Sequence, residues 1–423
     1  MTSNHDNYRP KRYTLVALCF CAAFICYIDR INISVAAIAM QDAFGWTDTV
    51  KGFVLSSFFV GYLGMQVAGG WLAHRIGGKL VLGVAVIWWS VFTILTPPAA
   101  MLTFSMLIVV RIAMGFGEAA TFPAVYALFA KWVPERERSR TVTLLLSGAP
   151  LGVVCALFSS GWIVENMGWP ASFYLFGAVG FIWAVVWVLK AYENPGDHPH
   201  ISPSELELLQ NQQPVKGQHF QVPWKKLVTQ SAIVALVVNH FCVNWSSYML
   251  MSWLPSYFRD VHGVSITAAG VYSAAPWLTS FVMMNVAGWI ADTLLNKGVS
   301  LIVVRKSMQT VGLLGAALSL LLTSQADSAP EAMLLMCAAL GMLAFTYSGF
   351  APNTLEIAPK YAGILAGISN TVATLPGIIG IVITGWLVDM TGSYSSALAL
   401  AAVLNILGAI VWIFLARAEP VID

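Results

Sequence analysis

The chain has 423 residues, of which 58% are hydrophobic and only 10% charged, less than half the charged share of about 25% in a soluble domain. Its 22 Lys and Arg against 20 Asp and Glu leave a net charge of +2, which offers no basic face for nucleic acid and no acidic binding surface. A mean hydropathy of +0.74 over the whole length exceeds what one anchor of about 20 apolar residues could contribute, so most of the chain is expected to lie in a bilayer.

Along the chain, Arg9, Lys11 and Arg12 precede the apolar run Leu15 to Ile28, with Ala37 and Ala39 beyond it, a pattern that superficially suits a secretory signal. Asp29 and Arg30 interrupt the run, and similar segments continue to the C-terminus, so a retained first membrane helix is expected. Apolar runs of about 20 residues predict twelve spans beginning near residues 13, 50, 80, 103, 140, 170, 230, 266, 301, 331, 361 and 394. With the N-terminus cytoplasmic, every Lys and Arg except four, from Arg9 through Lys216 to Arg417, falls on the inside. The exceptions are Lys51 and Arg259 outside, and Arg30 and Arg111 within spans. That asymmetry follows the positive-inside rule and places both termini in the cytoplasm. Residues 192–228 are polar and hold Pro195, Pro199, Pro203 and Pro214, predicting a cytoplasmic linker between a six-helix half at 1–191 and another at 229–423.

The six cysteines (Cys19, Cys21, Cys26, Cys155, Cys242, Cys337) sit in apolar stretches without metal-ligand spacing and read as small buried hydrophobes. No cofactor and no metal are expected. Asn-x-Ser triplets at Asn32 and Asn244 lie inside spans, so neither reads as a glycosylation site.

Four segments repeat one pattern: Gly70-Trp71-Leu72-Ala73-His74, Gly161-Trp162-Ile163-Val164-Glu165, Gly288-Trp289-Ile290-Ala291-Asp292 and Gly385-Trp386-Leu387-Val388-Asp389. They close spans two, five, eight and eleven, alternately inside and outside. This is the signature of inverted three-plus-three repeats within each half, an arrangement of secondary transporters. The simpler explanation is a shared habit of helix ends, glycine for packing and Trp for the interface.

Four charges lie deep in predicted spans: Asp29 and Arg30 in span one, Arg111 and Glu118 in span four. Each costs about 2.5 to 3.5 kcal/mol at a helix centre. Arg111 and Glu118 are two turns apart and face nearly the same side, so the four are expected to share one polar cavity. Protonating both acids would leave two guanidinium groups ready for a carboxylate or phosphate; the alternative is a pair of buried salt bridges fixing helix register. Weaker polar signals are Tyr27 beside Asp29, Tyr62 with Gln66 at i, i+4, the stripe His240, Asn244 and Tyr248, the patch Ser369, Asn370 and Thr374, and Tyr347, Ser348 and Asn353.

Gly70 to Lys79 (GWLAHRIGGK) resembles the loop signature of the major facilitator superfamily, except that His74 stands where an Asp is usual. Tyr27 to Ala36 (YIDRINISVA), Ser56 to Tyr62 (SSFFVGY), Arg111 to Pro123 (RIAMGFGEAATFP), His240 to Trp245 (HFCVNW) and Asn353 to Asn370 resemble its anion:cation symporter branch, which includes sialin and vesicular glutamate, phosphate, galactonate and hexuronate transporters. The resemblance implies an all-α integral membrane fold of twelve helices in two halves. It implies proton-coupling roles for Asp29 and Glu118, substrate binding at Arg30, Arg111, Tyr27 and Tyr62, and a weaker place for Asn370. Gln66, His240, Asn244 and Ser348 complete the expected shell. Because Asn239 to Tyr248 lacks an arginine, vesicular glutamate filling is disfavoured. A short connection at about residues 39–50 and the lack of a transit peptide point to a bacterial inner membrane. The expected function is proton-coupled symport of a small organic anion by a monomer. Sialic acid or phosphate transport, sodium-linked transport and proton-antiport export stand as alternatives, and an enzyme is not expected.

Overall fold

The computed structural model describes residues 10–210 and 223–422; Arg9, Lys216 and the middle of the expected linker lie outside the described residues. The described chain is helical, and its membrane-length helices are α1 (Lys11–Phe44), α2 (Asp48–Ile76), α3 (Gly78–Leu102), α4 (Phe104–Trp132), α5 (Glu135–Met167), α6 (Trp169–Lys190), α7 (Ser231–His262), α8 (Ile266–Asn296), α9 (Leu301–Thr323), α10 (Ala329–Ile357), α11 (Ala362–Thr391) and α12 (Ser395–Leu415). Each begins within about five residues of the position expected from the apolar runs.

Three of these helices are irregular where function would need it. α2 bends by 49° between Gln66 and Ala68. α4 and α10 each lose the regular helical hydrogen-bond pattern for two residues in mid-span, at Ala119–Ala120 and Ala344–Phe345, although the backbone there stays right-handed. In α4, Gly115 and Gly117 weaken the helix before the break, and Pro123 after it has no N–H to give the Ala119 carbonyl. Glu118 sits at that discontinuity.

The two halves repeat one packing scheme. In the first, α1 packs on α5 and α6, α2 on α4, and α3 on α4 and α6; in the second, α7 packs on α11 and α12, α8 on α10, and α9 on α10 and α12. Across the halves, α2 meets α11, α5 meets α8 and α1 meets α7. The chain therefore has the two-half, inverted-repeat architecture expected of it.

Described parts of the 192–228 connection include helices Pro203–Gln210 and Trp224–Thr229. Glu205 ties this segment to α1, accepting hydrogen bonds from the Lys11 and Arg12 backbone N–H groups at 2.9 and 3.1 Å and from the Arg12 guanidinium at 3.1 Å. Those amides are the unsatisfied donors of a helix N-terminus, where a carboxylate is favoured.

The halves are joined firmly at the end remote from the termini. Asp389 of α11 accepts from the backbone N–H groups of Asp48 and Thr49 at 2.9 and 2.7 Å and from the Thr49 hydroxyl, so it caps α2 of the other half. Glu165 of α5 likewise accepts from the Thr267 N–H of α8 at 2.7 Å. On the termini side, a Cβ on Gly64, Gly288, Gly363 or Gly367 would meet no described atom within 4 Å. The four repeat tryptophans, Trp71, Trp162, Trp289 and Trp386, are 57%, 55%, 70% and 50% exposed, as suits rings facing lipid or its interface.

Candidate functional site

Asp29 and Arg30 are neighbours, but a helix turns about 100° per residue, so they face different partners. Asp29 looks toward α3, where its Oδ2 accepts from Trp89 Nε1 at 3.1 Å; among the described residues its Oδ1 is buried without a hydrogen-bond partner. Arg30 looks toward α4. Its Nε and Nη2 both donate to Glu118 Oε2, at 3.1 and 3.0 Å, and the Cys26 thiol donates to the same oxygen at 3.2 Å. Glu118 Oε1 is also buried and unpartnered. A proton could therefore settle on Asp29 Oδ1 or Glu118 Oε1 without first breaking a hydrogen bond.

Arg30 is caged by aromatic rings. Its guanidinium carbon lies 4.7 Å from the Tyr27 centroid and 4.8 Å from those of Phe58 and Tyr62, within cation–π range. Phe58 and Tyr62, one turn apart on α2, stack with centroids 5.8 Å apart. The cage depends on close contact of α2 with α4: a Cβ on Gly61 would collide with the Ile112 carbonyl, and one on Gly115 with the Phe58 carbonyl. Only glycine allows that approach.

The expectation of two acid–base pairs sharing one cavity is corrected in part: Arg30 and Arg111 line the same cavity, but the four charges form a single close pair. Arg30 and Glu118 form an ion pair, but Arg111 does not join it among the described residues. Two helical turns put Arg111 and Glu118 on one face yet about 10 Å apart along the axis. Arg111 is 1% exposed, its Nη1 donates only to the Met114 sulfur at 3.1 Å, its Nε has no partner, and its guanidinium carbon stands 5.6 Å from the Phe58 ring. It lines a constricted cavity of about 10 Å³, room for about one water molecule, with Arg30, Ser34, Leu55, Phe58 and Ser252. Cys26 is a second correction, since its thiol contacts Glu118 rather than merely filling space. Lys51, assigned to the outer side by charge counting, is fully buried at the start of α2.

The second half supplies neutral polar groups. His240 Nδ1 and Ser369 Oγ are 2.8 Å apart, and the His240 ring lies 4.9 Å from that of Phe350. Asn244 donates to the Ala373 carbonyl at 2.9 Å, and Tyr248 crosses to the first half, its ring 4.6 Å from Phe59. Gln66 does not pair with Tyr62 as spacing suggested; at the α2 bend it donates to Thr374 Oγ1 of α11 at 3.2 Å. Ser348 is buried, its carbonyl accepting from Arg305 at 2.9 Å. Asn370 is exposed on the open side of α11, apart from the arginine cage. Asn353 turns away to Glu356 and the Arg417 carbonyl.

Sequence reasoning missed Trp89, and it quoted Phe58 only within the Ser56 to Tyr62 motif, with no role. Trp89 had a usable signal, because a buried indole N–H normally seeks an acceptor. Phe58 had no chemical signal of its own within its apolar run. Near His74, which is exposed, Glu193 supplies a carboxylate from the far end of α6: it accepts from the Lys79 N–H at 2.7 Å and pairs with Lys131 at 2.6 Å.

The same chain matches the model of the Major Facilitator Superfamily over residues 19–381. The chain belongs to that superfamily. Within it, the chain falls in the anion:cation symporter branch. It is 41% identical over 414 residues to rice "Probable anion transporter 4, chloroplastic", covering 98% of this chain and 70% of the relative. It is 40% identical to Arabidopsis thaliana "Sodium-dependent phosphate transport protein 1, chloroplastic", covering 98% and 81%, and 35% identical to human sialin, covering 96% and 90%. Among solved structures, a bacterial homolog of the human lysosomal transporter Spinster superposes with a TM-score of 0.78 at 17% identity, covering 97% of this chain and 98% of that one. A D-xylose–proton symporter gives 0.77 at 13% identity, covering 96% and 98%.

Proposed function

We propose that this transporter carries a small organic anion, a sugar acid or related carboxylate, in symport with protons. The observation that carries the proposal is the Arg30–Glu118 pair inside its aromatic cage. With Glu118 ionised, the guanidinium fork is occupied. With Glu118 protonated, Arg30 keeps its charge against three π faces while its N–H groups become free for a carboxylate. Asp29 is the second proton-coupling carboxylate, and Arg111 the second anion-binding group. Tyr27, Tyr62, Gln66, His240, Asn244, Ser348 and Asn370 complete the proposed polar shell.

The anion relatives support the substrate class, and the inverted halves support alternating access around a central site. We assign residues 1–191 and 229–423 to the two halves and 192–228 to a cytoplasmic linker, and propose a monomer in a cell inner membrane with both termini cytoplasmic, on the distribution of Lys and Arg. The named phosphate relative favours a second proposal, sodium-linked phosphate transport. Proteoliposome uptake of an anion panel under imposed proton or sodium gradients separates the two. Concentrative uptake of a sugar acid driven by a proton gradient alone is the expected result; uptake of phosphate driven by sodium alone would replace it.

A further inference from the structure

Lys51 has no part in the binding site, yet it is the most deeply buried amine of the described chain at 0% exposure. Burying an unpaired ammonium costs several kcal/mol, so its surroundings must offset that. Two groups come from its own half: the Asp48 carboxylate, 2.8 Å from Nζ, and the Gln41 side-chain carbonyl. The rest come from the opposite half, where Nζ lies 4.7 Å from the centroid of Trp253 and 4.0 Å from Asp260 Oδ2. Asp260 is held in turn by the Tyr394 hydroxyl at 2.7 Å, and Trp253 by the Ile381 carbonyl at 3.1 Å.

Lys51 also lies directly over the cavity. Leu55, which lines it, is one turn deeper on the same face of α2, and Ser252 and Met251, which line it from α7, adjoin Trp253. The Lys51–Trp253 contact therefore roofs the chamber holding Arg111, on the side where Asp389 and Glu165 cap the opposing helices. To admit an anion from that side, the halves must part here.

We infer that Lys51 is the gating cation of this transporter, its contact with Trp253 and Asp260 setting the balance between states closed and open at the end remote from the termini. This rests on the alternating-access proposal, but its test needs no substrate, so failure of the gate assignment leaves the anion assignment standing, and the reverse.

The test introduces Ser252→Cys into the full-length protein in sided membrane vesicles. Labelling at residue 252 by a membrane-impermeant maleimide is read by peptide mass spectrometry, which leaves the native cysteines in place. Loss of one desolvated cation–π contact should shift the balance roughly three- to thirtyfold. Lys51→Met is expected to speed labelling from the remote side by that factor and to slow it from the termini side, while Lys51→Arg stays near the parent. If Lys51→Met does not fold, Trp253→Leu removes the same contact from the other half and should produce the same opposed change. Unchanged labelling, or equal acceleration from both sides, overturns the inference.

Discussion

Replacing Glu118 by Gln tests the coupling mechanism most directly. In the parent, one carboxylate oxygen accepts two guanidinium hydrogen bonds at 3.1 and 3.0 Å. Removing one member of a buried ion pair costs about 3–5 kcal/mol when the other charge is left bare. Arg30 is not left bare, because three rings stand within 4.8 Å, each contributing about 0.5–2 kcal/mol. The amide of the Glu118→Gln variant would keep a neutral acceptor worth roughly half a charge-assisted bond. The protein should therefore fold with Arg30 still charged but more weakly held, as in the protonated parent. Counterflow exchange in proteoliposomes should persist and depend less on pH, Asp29 being the remaining coupling carboxylate, while uptake driven by an imposed proton gradient should fall at least about tenfold, the loss expected when a proton no longer offsets about 1.4 kcal/mol of binding. Concentrative, gradient-driven uptake by Glu118→Gln at the parent rate would refute the reasoning.

Four further outcomes follow from the geometry. Trp89→Phe removes the donor to Asp29 Oδ2 and should cost about 1.5–3 kcal/mol by denaturant unfolding in detergent at neutral pH if Asp29 is ionised, but clearly less in an Asp29→Asn background; equal losses in both would show that no charge is involved. Arg111→Gln should raise KM for the anion at least tenfold; an unchanged KM in uptake kinetics would remove Arg111 from the site. Gly385→Ala should destabilise by about 1–3 kcal/mol through overpacking, because its Cβ would fall on the Asp48 carbonyl, whereas Gly288→Ala meets nothing and should be neutral or stabilising by about 0.5–1 kcal/mol. Asp389→Ala should cost about 0.5–2 kcal/mol as a lost helix cap, and in the maleimide assay it should speed labelling from the remote side; unchanged rates would exclude a role in closing that end.

The twelve spans were legible because the requirement for about 20 apolar residues acts on each segment alone. The deep charges were legible for the same reason: Asp29, Arg30, Arg111 and Glu118 stand out against a lipid-compatible background without knowledge of any neighbour. Their pairing was not. It depends on the 100° step that turns Asp29 toward Trp89 and Arg30 toward Glu118, and on the α2–α4 approach allowed by Gly61 and Gly115. The burial of Lys51 was not legible for a similar reason: charge counting gives only its side of the membrane, and its partners Trp253 and Asp260 lie far along the chain and on the other half.

The repeated Gly-Trp segments join these observations. All four copies turn Trp outward, yet their other residues differ by side. At the closed end, Gly161 lies against α8, with a Cβ position 3.1 Å from the Ile266 carbonyl, and Gly385 against α2; Glu165 and Asp389 then cap those same helices. At the termini side, a Cβ on Gly288 would meet nothing within 4 Å and one on Gly70 only Pro123 at 3.9 Å, while His74 and Asp292 are exposed. One sequence pattern thus occupies two environments within a single structure. A transporter whose repeats exchange roles would close Gly70 and Gly288 while releasing Gly161 and Gly385. In that exchange Asp292 can cap a helix N-terminus as Asp389 does, but His74 brings no carboxylate to the same positive end of a dipole. The termini-side closure should therefore be the weaker of the two, consistent with a resting state closed at the remote end by Asp389, Glu165 and Lys51.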